Sequence, residues 1–88
     1  MPPEDDARLR HMIDAARAAR RFIAGRGPAD LDADEMLVFA LVRAVEIIGM
    51  SNRLVHAYFD VDKAIVWKAV SEEVPLLLPL LLQALPPA

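Results

Sequence analysis

The stretch Met36-Leu37-Val38-Phe39-Ala40-Leu41-Val42-Arg43-Ala44-Val45-Glu46-Ile47-Ile48 decides the fold class. It is too long for an ordinary strand, and only Arg43 and Glu46 interrupt its apolar character. A helix apolar almost all round is buried on more than one side. In a chain of 88 residues the second side is expected to meet another subunit. The 56% hydrophobic content points the same way, because so small a core cannot use that much apolar material. A homodimer is the simplest arrangement.

Working outward, three further helical segments appear. The first spans about Glu4 to Ala24, with Leu9, Met12, Ile13, Ala16, Ala19 and Ile23 at helical spacing. Acids open it and Arg20 and Arg21 close it, which suits the helix dipole. Gly25-Arg26-Gly27-Pro28 stops it. Asp30 or Asp32 can cap the central helix, with Glu35 three residues after Asp32 as in a capping box. Gly49 breaks that helix, and Met50 to Tyr58 reads as a short one. Asp60-Val61-Asp62 forms a turn and cap. The last helix carries Ile65, Val66, Ala69, Val70, Val74, Leu77, Leu78, Leu81 and Leu85. Pro75 and Pro79 each remove a backbone donor and should bend or break it. The expectation is a single all-α domain over residues 1–88, a bundle of about four helices.

Composition narrows the function. With no cysteine, disulfides and thiolate metal sites are excluded, and a reducing cytoplasm fits. The acidic start Met1-Pro2-Pro3-Glu4-Asp5-Asp6 does not have the order of a signal peptide. Leu76 to Leu82 falls short of the roughly 20 apolar residues of a membrane span. A net charge of −3 argues against a dedicated nucleic-acid binder. Yet residues 8–26 hold six arginines and one acid, and residues 30–35 hold four acids and no base.

Candidate chemistry centres on His56. On a helix, Asn52 and Arg53 precede it by four and three residues and border its face. An imidazole titrating near neutrality could move a proton at a phosphodiester oxygen. A guanidinium could steady charge on the phosphate. Taken alone, a histidine among Leu54, Val55 and Ala57 reads more simply as a core or interface residue. Arg10, Arg17 and Arg21 recur along one face of the first helix. They read either as a solvated face with Asp14 as ion-pair partner or as a phosphate-contacting surface. His11 reads as a surface residue. Tyr58 and Trp67 read as rings packed near helix ends. No histidine pair stands at helical spacing and the acids sit at helix starts, so no metal site or cofactor is expected.

Asp5 to Met12, Leu41 to Gly49 and above all Met50 to Asp62 resemble the HepT-like branch of the HEPN proteins. Ile65-Val66-Trp67 and Val74-Pro75-Leu76-Leu77 fit the closing helix of that family. Its motif is an arginine, four to six residues, a histidine, any residue and a tyrosine. His56 and Tyr58 match the last two members. The arginine would fall at position 51, where this chain has Ser51; Gly49 and Met50 occupy the longer spacings. Family members also carry a further segment between the Glu-Ile-Ile-Gly helix and the signature segment, and here Gly49 runs straight into Met50. The resemblance implies a dimeric helical bundle and metal-independent RNA cleavage by attack of the ribose 2′-hydroxyl. His56 would be acid or base, Asn52 a polar support and Arg53 a substitute cation. It also implies a nucleotidyltransferase antitoxin that adenylylates Tyr58. Two readings stay open: an active endoribonuclease toxin, or an inactive module that dimerises and binds the antitoxin.

Overall fold

The computed structural model describes residues 2–50, 55–57 and 60–86. Its first helix, α1, spans Pro3–Ile23. Proline suits the first helical position, where its missing N–H would have had no partner. Glu4, Asp5 and Asp6 occupy the first turn and Arg20 and Arg21 the last. The buried side of α1 is Ile13, Ala15, Ala16, Ala19 and Ile23. Three alanines on that side let a neighbouring helix come close. The neighbour is chiefly the helix Glu35–Ile48, with the C-terminal helix Val74–Ala84 and the turn before it alongside.

The central helix begins later than its sequence suggests. Asp30–Ala33 is a separate turn, α2, and α3 spans Glu35–Ile48. Between them Asp34 is extended, with φ −130°. Its carboxylate accepts from the Leu37 backbone N–H at 3.1 Å and from Arg26 Nη1 at 2.9 Å. A short carboxylate that takes a main-chain donor competes with the helix and caps it. The cap is therefore Asp34, not Asp32, and the Asp32–Glu35 capping box does not form. Asp30 instead accepts from the Gly27 N–H at 2.7 Å, closing the preceding turn.

The far end of α3 is a Schellman motif. Gly49 has φ +90°, its N–H reaches the Glu46 carbonyl, and the Met50 N–H reaches the Val45 carbonyl at 3.0 Å. Two carbonyls that would have lacked partners are thereby satisfied. Leu37, Val38, Leu41, Val42, Ala44, Val45 and Ile48 are buried, whereas Met36, Phe39 and Ile47 are exposed. The two-sided apolar character is real, and the second side has no cover within the described residues.

Residues 55–57 correct the expected short helix. Val55–Ala57 is a strand, β1, antiparallel to β2 at Asp60–Val61. Val55 lies opposite Val61 and Ala57 opposite Asp60, with an irregularity between. Val55 and Val61 are β-branched and suit an extended pair better than a helix. The helical part of the fold is otherwise as expected.

Asp62 caps α4, Lys63–Lys68, by accepting from the Ile65 N–H at 3.1 Å. A π turn, Ala69–Glu73, follows and leads into α5, Val74–Ala84. Val74 donates to the Ala69 carbonyl, five residues back. Pro75 explains this turn: it cannot donate, and its ring presses on the carbonyl four residues earlier. A widened turn just before it relieves the clash. Ser71 Oγ also donates to the Trp67 carbonyl at 2.6 Å. Pro79 sits inside α5 without ending it. Val66, Val70 and Val74 are fully buried with Leu41 and Val45 in one core, against which Val61 and Trp67 pack.

Candidate functional site

The signature residues sit where α3 has ended and α4 has not begun. Gly49 and Met50 close the first and Asp62 opens the second. His56 lies in β1. In a strand, side chains alternate between faces, so the rule that put residues 52, 53 and 56 on one side does not apply at residues 55–57. The proposed Asn52–Arg53–His56 face is thus not formed by a helix through His56. Asn52, Arg53, Ser51 and Tyr58 lie outside the described residues. The ribbon is anchored by Val61, which packs on the core, and by the Asp62 cap one residue later.

The arginine stripe resolves into different roles. Arg10 is exposed and its Nε donates to Asp6 Oδ2 at 3.0 Å. Arg17 and Arg21 are exposed. Asp14, the expected internal partner, makes no ion pair among the described residues. Arg20 lies off the stripe, and its Nη1 donates to the Val70 carbonyl at 3.5 Å, tying α1 to the π turn. Arg26 holds Asp34. That hydrogen bond, then the Leu37 N–H, holds the Asp34 carboxyl below the usual aspartate range. His11 is exposed and Trp67 half-buried, in keeping with their simpler readings.

Sequence reasoning missed one feature. A cleft of about 460 Å³ opens between α2, the start of α3, β2 and the start of α4. Leu31, Val38 and Val61 give it apolar walls, and Phe39 flanks it. Asp32, Glu35 and Lys63 stand at its mouth, with Lys63 Nζ 3.4 Å from Asp32 Oδ1. Asp32 and Lys63 are 31 residues apart. No local spacing could have joined them. Among the described residues no three histidine, aspartate or glutamate side chains gather as a metal site would require. Nor, among the described residues, is any helix long and apolar enough to cross a membrane.

Comparison with known proteins places this arrangement. The family described as Ribonuclease HepT-like matches residues 45–84, from the last turn of α3 through the ribbon to α5. A protein described as a probable ribonuclease HepT, from Thermococcus cleftensis, is 33% identical over 72 positions. That match takes in 54% of this chain and 66% of the relative. A candidate RNase named MJ1380, from Methanocaldococcus jannaschii, is 47% identical over 30 residues, 34% of this chain and 28% of its own length. The chain thus spans just under two thirds of the first and far less of the second. No solved structure matches. The first match also has a gap: 54% of 88 residues is about 48, against 72 aligned positions. About 24 positions of the relative therefore have no counterpart here. The match over the ribbon and closing helices, with the two relatives, supports membership of the HepT-like family for this chain.

Proposed function

We propose that the chain is the ribonuclease component of a toxin–antitoxin pair, acting on RNA as a metal-independent endoribonuclease in the cytoplasm. One observation carries this reading: the family match runs through His56 and Tyr58, the two motif members the sequence retains. In the proposed reaction a ribose 2′-hydroxyl loses its proton and attacks the adjacent phosphorus. The bond to the 5′-oxygen of the next nucleotide breaks, and that oxygen takes up a proton. His56 serves one or both transfers, since imidazole exchanges protons near neutral pH. A nearby cation, with Arg53 as candidate and Asn52 in support, would stabilise the charge on the phosphate oxygens. Exposed Arg17 and Arg21, with Arg10, would hold the RNA backbone. The partners are a second copy of the chain and a nucleotidyltransferase antitoxin that modifies Tyr58. Dimerisation draws support from the uncovered apolar residues Ile47, Leu76 and Leu80.

A second reading, an inactive module that still dimerises and binds the antitoxin, has its own support. Ser51 stands in place of the motif arginine, and about 24 positions of the relative are missing. Losing one transition-state charge costs on the order of 10²–10³ in rate. Cleavage of RNA by the purified chain in EDTA, beside His56→Ala, separates the readings. The nuclease reading expects cleavage by the parent and none by the variant, with unchanged helical circular dichroism. Equal cleavage by both would refute the mechanism. No cleavage by a folded parent would favour the inactive module, and Ser51→Arg then tests whether one residue restores it.

A further inference from the structure

The cleft beside the ribbon has a chemistry that the proposed reaction does not use. Its inner walls, Leu31 and Val38, are buried, and Val61 is half-buried. On its flank Phe39 is 60% exposed, and Met36, one turn earlier on α3, is 83% exposed. Phe39 lines the cleft of about 460 Å³, and Met36, three residues before it and so on the same side of α3, extends this exposed apolar lip. At the mouth two carboxylates, Asp32 and Glu35, face a single ammonium, Lys63. Lys63 is paired with Asp32, while Glu35 makes no ion pair among the described residues. Among the described residues the cleft is therefore apolar inside, aromatic on one flank and acidic on balance.

We propose that this cleft and its Met36–Phe39 lip dock a basic amphipathic segment of a protein partner. Apolar side chains of the segment would cover Met36 and Phe39. An arginine or lysine would enter the cleft with its aliphatic stem along Leu31, Val38 and Val61. Its charged head would meet Glu35 and Asp32, with the Phe39 ring available to a guanidinium face. The charge balance selects this occupant over a nucleic-acid strand. A phosphate backbone brought to the same mouth would face two carboxylates, and Lys63 is already engaged by one of them. The inference does not depend on whether the chain cleaves RNA.

The test titrates the intact chain with a short fluorescent peptide carrying leucines on one helical face and arginines on the other, read by anisotropy. Glu35→Lys should weaken binding by about tenfold or more, and Phe39→Ser by several-fold. Lys63→Gln should tighten it by a few-fold, because it frees Asp32. Glu4→Lys makes the same change in net charge at an exposed site on α1 and should leave affinity within about twofold. Circular dichroism checks each fold, and Glu35→Gln replaces Glu35→Lys if the latter unfolds α3. Equal losses for Glu35→Lys and Glu4→Lys would reduce the effect to general electrostatics and overturn the proposal. So would absence of binding, or weaker binding by Lys63→Gln. A single-stranded oligoribonucleotide that displaces the peptide, and whose own binding falls in Lys63→Gln, would assign the cleft to RNA instead.

Discussion

Gly49→Ala isolates the backbone geometry that ends α3. Gly49 holds φ +90°, and a methyl group built on it meets nothing within 4 Å. Any loss of stability must therefore come from the main chain and not from a clash. Placing a non-glycine residue in the left-handed region costs roughly 1–2 kcal/mol. Alanine returns part of this, about 0.4–1 kcal/mol, because its unfolded chain has fewer states to lose. The net is a destabilisation of about 1 kcal/mol. For a domain of this size that lowers Tm by about 4–8 °C. Gly27→Ala supplies the control, since Gly27 has neither the positive φ nor a neighbour within 4 Å. It should be neutral or stabilising by up to about 1 kcal/mol. Thermal melts at one fixed protein concentration read both. If Gly49→Ala melts with Gly27→Ala, the left-handed stop does not hold the end of α3 and the chain can leave that helix by another route.

Two further outcomes follow from the geometry. The Asp34 carboxyl titrates below the usual aspartate range, first because of its bond from Arg26. Its contribution to stability is complete above the unfolded-state aspartate pKa and is lost as pH falls through the lower folded value. Asp34→Asn should therefore flatten the acid limb of a stability–pH curve and leave Tm nearly independent of pH above about 5 at that site; an unchanged acid limb would show that Arg26 does not hold the carboxylate in solution. Sedimentation at micromolar concentration should give a dimer, and a monomer mass would mean that the exposed faces of α3 and α5 are not self-associating.

What the sequence made legible was local. Helical spacing placed α1, the body of α3 and the C-terminal helices, because burial of one side recurs along the chain itself. Gly49 and Asp62 were legible as boundaries for the same reason: a left-handed glycine and a capping carboxylate act on neighbours a few residues away. The break at Asp34 was not, because three nearby acids could each cap and only contact with Arg26 distinguishes Asp34. The cleft was invisible, since its carboxylates read as caps and Lys63 joins them from another element. The ribbon is not legible in the sequence because the stretch between the two helices shows no period-two alternation, and only the pairing of Val55 with Val61 marks it as extended.

The ribbon also bears on what Ser51→Arg could do. A motif arginine five residues before the histidine works by backbone geometry as much as by charge. Along a helix five residues advance about 7.5 Å, whereas along a strand they advance about 16–17 Å. With Val55–Ala57 extended, an arginine at position 51 returns to the imidazole only if the preceding backbone turns back or a second subunit supplies the cation. Adding Ser51→Arg alone is therefore expected to leave RNA cleavage in EDTA well below that of a full-length relative with the intact motif. Inserting the relative's missing stretch of about 24 positions together with the arginine should raise it. Full recovery by Ser51→Arg alone would mean that the segment is dispensable and that one lost charge accounts for the whole deficit.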